Sequence, residues 1–258
     1  MDAVVYGGLG VVGKSTSKAF GISHYFDKKG SNITLTEAAY KRYHFFCLPT
    51  PTVNGECFRE DIFELIRQLE EIPHNQNVYI IRSTVIPGTA RHIMTQLGIH
   101  SVISNPEFLS EDTADEDAQN PDVVVIGGDH KQYVDDVKGI YDAHIKTAKI
   151  FTMDTITAEM VKYAVNTFYA TKVIFANQMF DVAQNVGANY ETMKDVMYNR
   201  KWVGKNHLDI WNKGGRGASG KCLRKDLDAF GNFSKSKLLA TVKSLNDEYL
   251  SKYPKENE

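Results

Sequence analysis

The chain opens "AVVYGGLGVVGKSTSKAF", with Gly8-Leu9-Gly10-Val11-Val12-Gly13 directly after an apolar strand and at the start of an amphipathic helix. Asp27 follows at the end of a second strand. A glycine turn between strand and helix lets backbone approach a diphosphate, and the helix N-terminus meets the negative charge. In this reading Gly8 turns the chain, Gly10 admits the pyrophosphate, Gly13 allows close helix packing, and Asp27 receives the adenosine ribose hydroxyls. The glycine spacing alone also fits a plain strand-to-helix turn; strand, helix and acid together select a dinucleotide site. An acid at the ribose repels a 2′-phosphate, so the pattern points to NAD over NADP, with Lys28 and Lys29 keeping the second cofactor open.

Strands predicted at Ala3 to Tyr6, Ile22 to Phe26, Phe45 to Leu48, Val78 to Ile81, Val102 to Ser104 and Val123 to Ile126 alternate with helical patterns such as "FREDIFELIRQLEE" and "GTARHIMTQLG". That alternation predicts an α/β fold, a Rossmann-like doubly wound and mainly parallel sheet. After a further short strand, "KIFTM", the character changes. From Thr157 to Val186 there is no Gly or Pro, and apolar residues occupy more than one face, predicting a helix roughly 45 Å long. Such a helix buries surface on two sides. A homodimer built on residues 157–186 satisfies this, and a helix crossing between two domains of one chain is the alternative. The expected division is residues 1–153 as the NAD-binding domain. Residues 154–258 form a helical central and dimerisation region with a small helical C-terminal part and a polar, frayed tail, "KYPKENE".

Thirty basic against 32 acidic residues leave a formal net charge of -2, which gives no footprint for nucleic acid or an anionic membrane surface. No apolar run approaches the roughly 20 residues of a membrane span, and "MDAVVYGG" lacks a signal-peptide pattern, so a cytoplasmic protein is expected. Cys47, Cys57 and Cys222 are too few for a disulfide framework and lack zinc-type spacing, so unbridged thiols and no metal site are expected. Cys222 lies in "GGRGASGKCLRKD", flanked by Lys221, Arg224 and Lys225, with Asp226 four positions on. Read alone, this is a flexible surface loop that holds a thiol.

Further segments sit where such a sheet presents its strand ends: "CLPTPT", "RSTVIPGTA" and "NPEFLSEDTADEDAQNPDVVVIGG". Together with "AEMVKYAVNTFYATKVIFAN" and "GASGKCLRKD", they resemble the UDP-glucose/GDP-mannose dehydrogenase family, from Ala3 to about Asp228 and in family order. The resemblance implies an NAD-dependent oxidation of a nucleotide-sugar alcohol to a carboxylate, with UDP-glucose as first candidate. It implies Cys222 as the nucleophile and Asp226, with a water held also by Thr84, as proton acceptor. Lys162 and Asn166 would steady the oxyanion, and Glu107 would move the proton in thioester hydrolysis. Pro49, Thr50, Thr84 and Lys225 would join Gly8, Leu9, Gly10, Val11, Val12, Gly13 and Asp27 around the cofactor. Singly, Lys162 also reads as a solvated helix charge, Asn166 as a packing amide and Asp226 as a helix cap.

The chain departs from the family pattern in places. The segment between Asp27 and Phe45 is shorter than usual in the family. The family's "FGGSCFPKD" here has Ala218 for the aromatic, Ser219 for a glycine and Lys221 for the serine beside the thiol, and its Asn-Glu on the long helix is Asn177-Gln178. Only 36 residues follow Cys222, so a short form without the second α/β domain that grips the nucleotide is expected. Two functions stay open: an active minimal dehydrogenase, or a catalytically weak or silent NAD-binding homologue that serves as a binding or assembly partner.

Overall fold

The computed structural model describes residues 1–73, 76–212, 214–220 and 222–254. Lys221 and the last four residues of the tail lie outside them. The chain divides into two compact units, residues 1–51 with 57–162 and residues 52–56 with 163–258.

In the first unit, β1 (Ala3–Tyr6), α1 (Val11–Phe20), β2 (His24–Phe26), α2 (Leu35–Ala39) and β3 (Tyr43–Phe46) begin the sheet. A two-strand hairpin, β4 (Thr52–Val53) and β5 (Glu56–Cys57), whose residues 52–56 count with the second unit, leads to α3 (Glu60–Glu70), β6 (Val78–Ile81), α4 (Thr89–Leu97) and β7 (Val102–Ser104). Then come α5 (Ala114–Gln119), β8 (Val123–Gly127), α6 (Lys131–His144) and β9 (Lys149–Met153). Seven strands form one sheet in the order β2-β1-β3-β6-β7-β8-β9. All neighbours are parallel except β7 and β8, which meet antiparallel at Ser104 and Gly127. Helix α5 docks on α1 through Asp115, which accepts from Ser15 at mid-helix and from Lys18 in the last turn, and β8 then enters the sheet antiparallel to β7.

Alternate residues of each strand feed two cores, as a sheet covered on both faces requires. Val5, Phe45, Ile80 and Ile103 pack with Phe20 of α1 and Val137 of α6, while Val4, Phe46, Tyr79 and Ile81 pack with Ile62 and Ile66 of α3 and Ile93 of α4. The mainly parallel, doubly wound expectation is what the sheet shows. The sequence reading missed the β4–β5 hairpin, although its Asn54-Gly55 turn, both residues at positive φ (51° and 78°), carries the familiar hairpin signature.

Helix α7 (Thr155–Val186) starts where Asp154 accepts the Thr157 amide at 3.1 Å and stops at Gly187, whose φ of 73° continues no helix. In the second unit, α8 (Tyr190–Tyr198), α9 (Leu223–Ser234) and α10 (Lys237–Lys252) accompany it. Ala176, Ala183, Tyr190, Leu208 and Ile210 form a small core there, and the Tyr163 and Phe230 rings stack at 4.8 Å. One side of α7 stays uncovered: Phe168, Phe175, Val182 and Val186 are 60%, 51%, 50% and 73% exposed. Spacings of seven, seven and four residues put them on one stripe about 27 Å long. Among the described residues no helix is long and apolar enough to cross a membrane.

Candidate active site

The turn between β1 and α1 has the shape of a diphosphate cradle. Gly7, rather than Gly8, takes the left-handed backbone, with φ of 78°. Gly8 is needed for another reason: a Cβ there would lie 2.4 Å from Cβ of Tyr25 on β2. A Cβ on Gly13 would lie 2.2 Å from the Gly7 carbonyl oxygen, so only glycine lets α1 press against the turn. Gly10 differs, because its Cβ would meet nothing nearer than that same oxygen at 3.3 Å. Its surface is therefore open to a ligand. Helix α1 has no side-chain cap and no acid in its first turn, so its positive end is left for an anion, with exposed Val11 and half-buried Val12 beside it. Asp27 ends β2; its Oδ2 accepts the Leu9 amide at 3.0 Å and its Oδ1 the Lys29 amide at 3.0 Å. Each oxygen keeps a second lone pair for a hydroxyl. The residues present thus fit an NAD molecule laid from Asp27 across the turn. Lys28 is drawn away by Asp61 at 2.8 Å.

Two more of the expected residues meet at the ends of β3 and β6. Thr50 Oγ1 donates to the Thr84 carbonyl at 2.6 Å, which locks the "CLPTPT" loop to the "RSTVIPGTA" loop and leaves Pro49 exposed. After β7, Glu107 is fixed through both carboxylate oxygens. Its Oε2 accepts the Leu109 amide at 2.6 Å, and its Oε1 faces Lys162 Nζ at 3.2 Å. The same Nζ donates to the Glu107 carbonyl at 2.6 Å. Lys162 is 5% exposed, so it is no solvated helix charge; this ammonium is held by one carboxylate and one carbonyl.

In the second unit Cys222 stands at the N-cap of α9 and is exposed, whereas Cys47 and Cys57 are buried. Its carbonyl accepts the Asp226 amide at 2.9 Å, the first bond of the helix. Sulfur and carboxylate are thereby one turn apart at the positive end of α9, a position that favours negative charge. Asp226 is fully buried; Asn166 Nδ2 donates to its Oδ2 at 2.5 Å and Lys225 Nζ to its Oδ1 at 2.6 Å. Lys225 is committed to this ion pair, and its carbonyl accepts from Thr52 Oγ1 of the hairpin at 3.0 Å. The expected residues therefore gather in three groups: Thr50 with Thr84, Glu107 with Lys162, and Asn166 with Asp226 and Lys225.

Sequence reasoning passed over two buried charged residues of the first unit. Glu159, three positions before Lys162, is 3% exposed and accepts the Gly88 and Ala90 amides at 2.6 and 2.9 Å and the Ser104 hydroxyl at 3.1 Å. It caps α4 from α7 and closes the loop that carries Thr84. Burial outweighs the three donors and pushes its carboxyl up to about 7. Arg82, which ends β6, is likewise buried and donates Nη1 to Asn105 at 2.7 Å and to Tyr141 at 2.6 Å. A charged residue inside an apolar strand pattern was the available signal for Arg82. For Glu159 there was none, since an acid near a helix start usually faces water.

Two family models match the chain. Residues 28–145 match the NAD binding domain of the UDP-glucose/GDP-mannose dehydrogenase family, and residues 156–248 match that family's central domain. The chain is 32% identical over 210 residues to a UDP-glucose 6-dehydrogenase of Rickettsia felis, covering 79% of this chain and 46% of the relative. It is 32% identical over 197 residues to a GDP-mannose 6-dehydrogenase of Pseudomonas syringae, covering 71% and 44%. Among solved structures it resembles a UDP-glucose dehydrogenase from Pyrobaculum islandicum with a TM-score of 0.81 and 25% identity, over 95% of this chain and 68% of that one. The chain spans about half the length of the curated relatives it matches.

Proposed function

Because the chain belongs to the UDP-glucose/GDP-mannose dehydrogenase family, we propose that it is an NAD-dependent nucleotide-sugar dehydrogenase that oxidises a sugar C6 alcohol to a carboxylate, with UDP-glucose the first substrate to test. The observation that carries the reading is an exposed Cys222 one helical turn ahead of a buried, doubly held Asp226. We take residues 1–153 as the cofactor domain and 154–258 as the central and dimerisation region, in the cytoplasm. The exposed stripe Phe168, Phe175, Val182 and Val186 supports a second copy of this chain as partner along 157–186.

Alcohol to carboxylate is a four-electron oxidation at one carbon. NAD, when bound, supplies the hydride acceptor for each half. In the first half Asp226 takes the proton of the C6 hydroxyl as the carbon loses hydride and becomes an aldehyde. In the second, Cys222 Sγ adds to the aldehyde carbon, and the oxygen gains charge. Lys162 and Asn166 meet that charge: Asn166 Nδ2 keeps one hydrogen beyond the bond to Asp226. The thiohemiacetal then loses the second hydride to leave a thioester. Water adds with Glu107 taking its proton, the C–S bond breaks, and the thiolate returns.

The test is NADH release from a panel of nucleotide sugars. Two NADH per substrate, no acid from Cys222→Ser, and a sugar adduct on the sulfur of Glu107→Gln seen by intact mass are expected. One NADH with released aldehyde would remove Cys222 from the chemistry, and NAD binding without any turnover would favour a silent binding homologue.

A further inference from the structure

Among the described residues before Cys222, Asn212 and Gly215 form a bridge and residues 215–218 are buried. One side chain from α10 and one from the segment itself account for this. Asn246 of α10, 1% exposed, accepts the Ala218 amide at 2.7 Å through Oδ1 and donates to the Ala218 carbonyl at 3.0 Å through Nδ2. One side chain thus satisfies both polar groups of one loop residue, as a neighbouring strand would. Gly217 makes the approach possible, with φ of 95° and a Cβ position only 3.0 Å from Asn246 Oδ1.

Arg216 fastens the other side. It is 2% exposed, and Nε donates to Asn177 Oδ1 at 2.9 Å while Nη2 donates to the Asn177 carbonyl at 3.2 Å and to Asp181 Oδ1 at 2.7 Å, all on α7. Its guanidinium lies 4.7 Å from the ring centres of Tyr249 and Tyr253. Tyr249 closes the circle by donating its hydroxyl to Asp181 Oδ2 at 2.5 Å; burial and that carboxylate push the phenol up to about 12, so it stays a donor. Burying a guanidinium is costly unless its donors are met, and apolar residues would pack two helices as well without that cost. What the arginine adds is direction: a planar fork fixes the backbone that carries it in one orientation.

We propose that Arg216 and Asn246 are positioning residues, which clamp residues 216–218 between α7 and α10 and so hold the Cys222 sulfur in its reacting place. Three residues separate Ala218 from Cys222, too few to absorb a displaced anchor. The inference rests on Cys222 being the nucleophile proposed above.

The test uses the full chain with Arg216→Met, Arg216→Lys and Asn246→Ala. Hydrogen exchange of peptides covering 214–220 should quicken at least tenfold in Arg216→Met and Asn246→Ala, while peptides covering β1 and β6 keep the parent rate. Alkylation of Cys222 by iodoacetamide, located by peptide mapping against the buried Cys47 and Cys57, should quicken at least threefold. Acid formation should lose at least tenfold in kcat with NAD affinity within twofold, and Arg216→Lys should fall between, because it keeps the charge for Asp181 and loses the fork to Asn177. Faster exchange of every peptide alike would make the two residues merely structural, and unchanged exchange and alkylation would overturn the clamp. A parent protein without turnover would defeat the proposed activity alone, since exchange and alkylation are read without it.

Discussion

Asn166 and Asp226 lie sixty positions apart in sequence and meet at 2.5 Å, both buried. Lys225 reaches the other oxygen of the same carboxylate. Removing the carboxylate leaves an amide donor and an ammonium without their acceptor. Asp226→Ala is therefore expected to lose about 2 kcal/mol or more of unfolding free energy, read from urea titration. Asp226→Asn should lose less, since its side-chain oxygen can still accept from Asn166. Equal stability of Asp226→Ala and the parent would show the pair to be energetically idle.

The glycines of the first turn should separate folding from binding. Gly13→Ala drives a Cβ against the Gly7 carbonyl at 2.2 Å and is expected to lower the melting temperature, an overpacking cost of about 1–3 kcal/mol. Gly10→Ala meets the same oxygen at 3.3 Å on an extended backbone, a tight contact and not a clash, so it should lose clearly less stability than Gly13→Ala. If the turn holds the pyrophosphate as proposed, the added methyl intrudes on it, so NAD affinity should drop at least tenfold by calorimetry. Undiminished NAD affinity in Gly10→Ala would place the cofactor elsewhere.

Glu159 gives the protein a signature in pH. Its carboxyl titrates near 4.5 when unfolded and is pushed up to about 7 when folded, so between these values the folded state holds the extra proton. Stability then falls as pH rises through that window, by a contribution of about 3 kcal/mol at full effect, and levels off above about 7. Glu159→Gln cannot titrate. The stability difference between parent and variant, measured by denaturation from pH 4.5 to 8, should shift against the parent as pH rises and then flatten. A difference constant across the window would mean that the three donors keep the carboxylate ionised throughout.

The stripe on α7 makes a prediction about assembly. Leaving Phe168, Phe175, Val182 and Val186 in water costs roughly 25 cal/mol per Å² of apolar surface. The parent should sediment as a dimer at micromolar concentration, and Phe175→Glu with Val182→Glu should shift it to monomer. A parent of 29.0 kDa in solution would remove the dimer.

The sheet was legible because each strand carries a short apolar run between turn residues, and the turn because strand, glycines and Asp27 fall in one local window. The groups at the proposed site were legible only in part. Lys162 and Asn166 could be placed on one helix by spacing, but that Lys162 pairs with Glu107, and Asn166 with Asp226, depends on contacts made across 55 and 60 residues. Periodicity carries no information about such distances. The docking of α5 on α1 was hidden for the same reason, since Asp115 looks like any helix-start acid until its bonds to Ser15 and Lys18 are seen. Arg216 read as one more cation in a basic, glycine-rich loop; its burial is the work of aromatic rings that arrive more than thirty residues later.

That late arrival also sets a schedule for the growing chain. Asn246 is made 28 residues after Ala218, a delay of about 1–6 seconds at ordinary rates of synthesis. During that interval the thiol-bearing loop has α7 before it in sequence but not yet α10, the second of its two helical walls. On the proposed clamp, the sulfur is set in its place only when α10 folds back on the loop, so its placement waits on that helix and reports that it has docked.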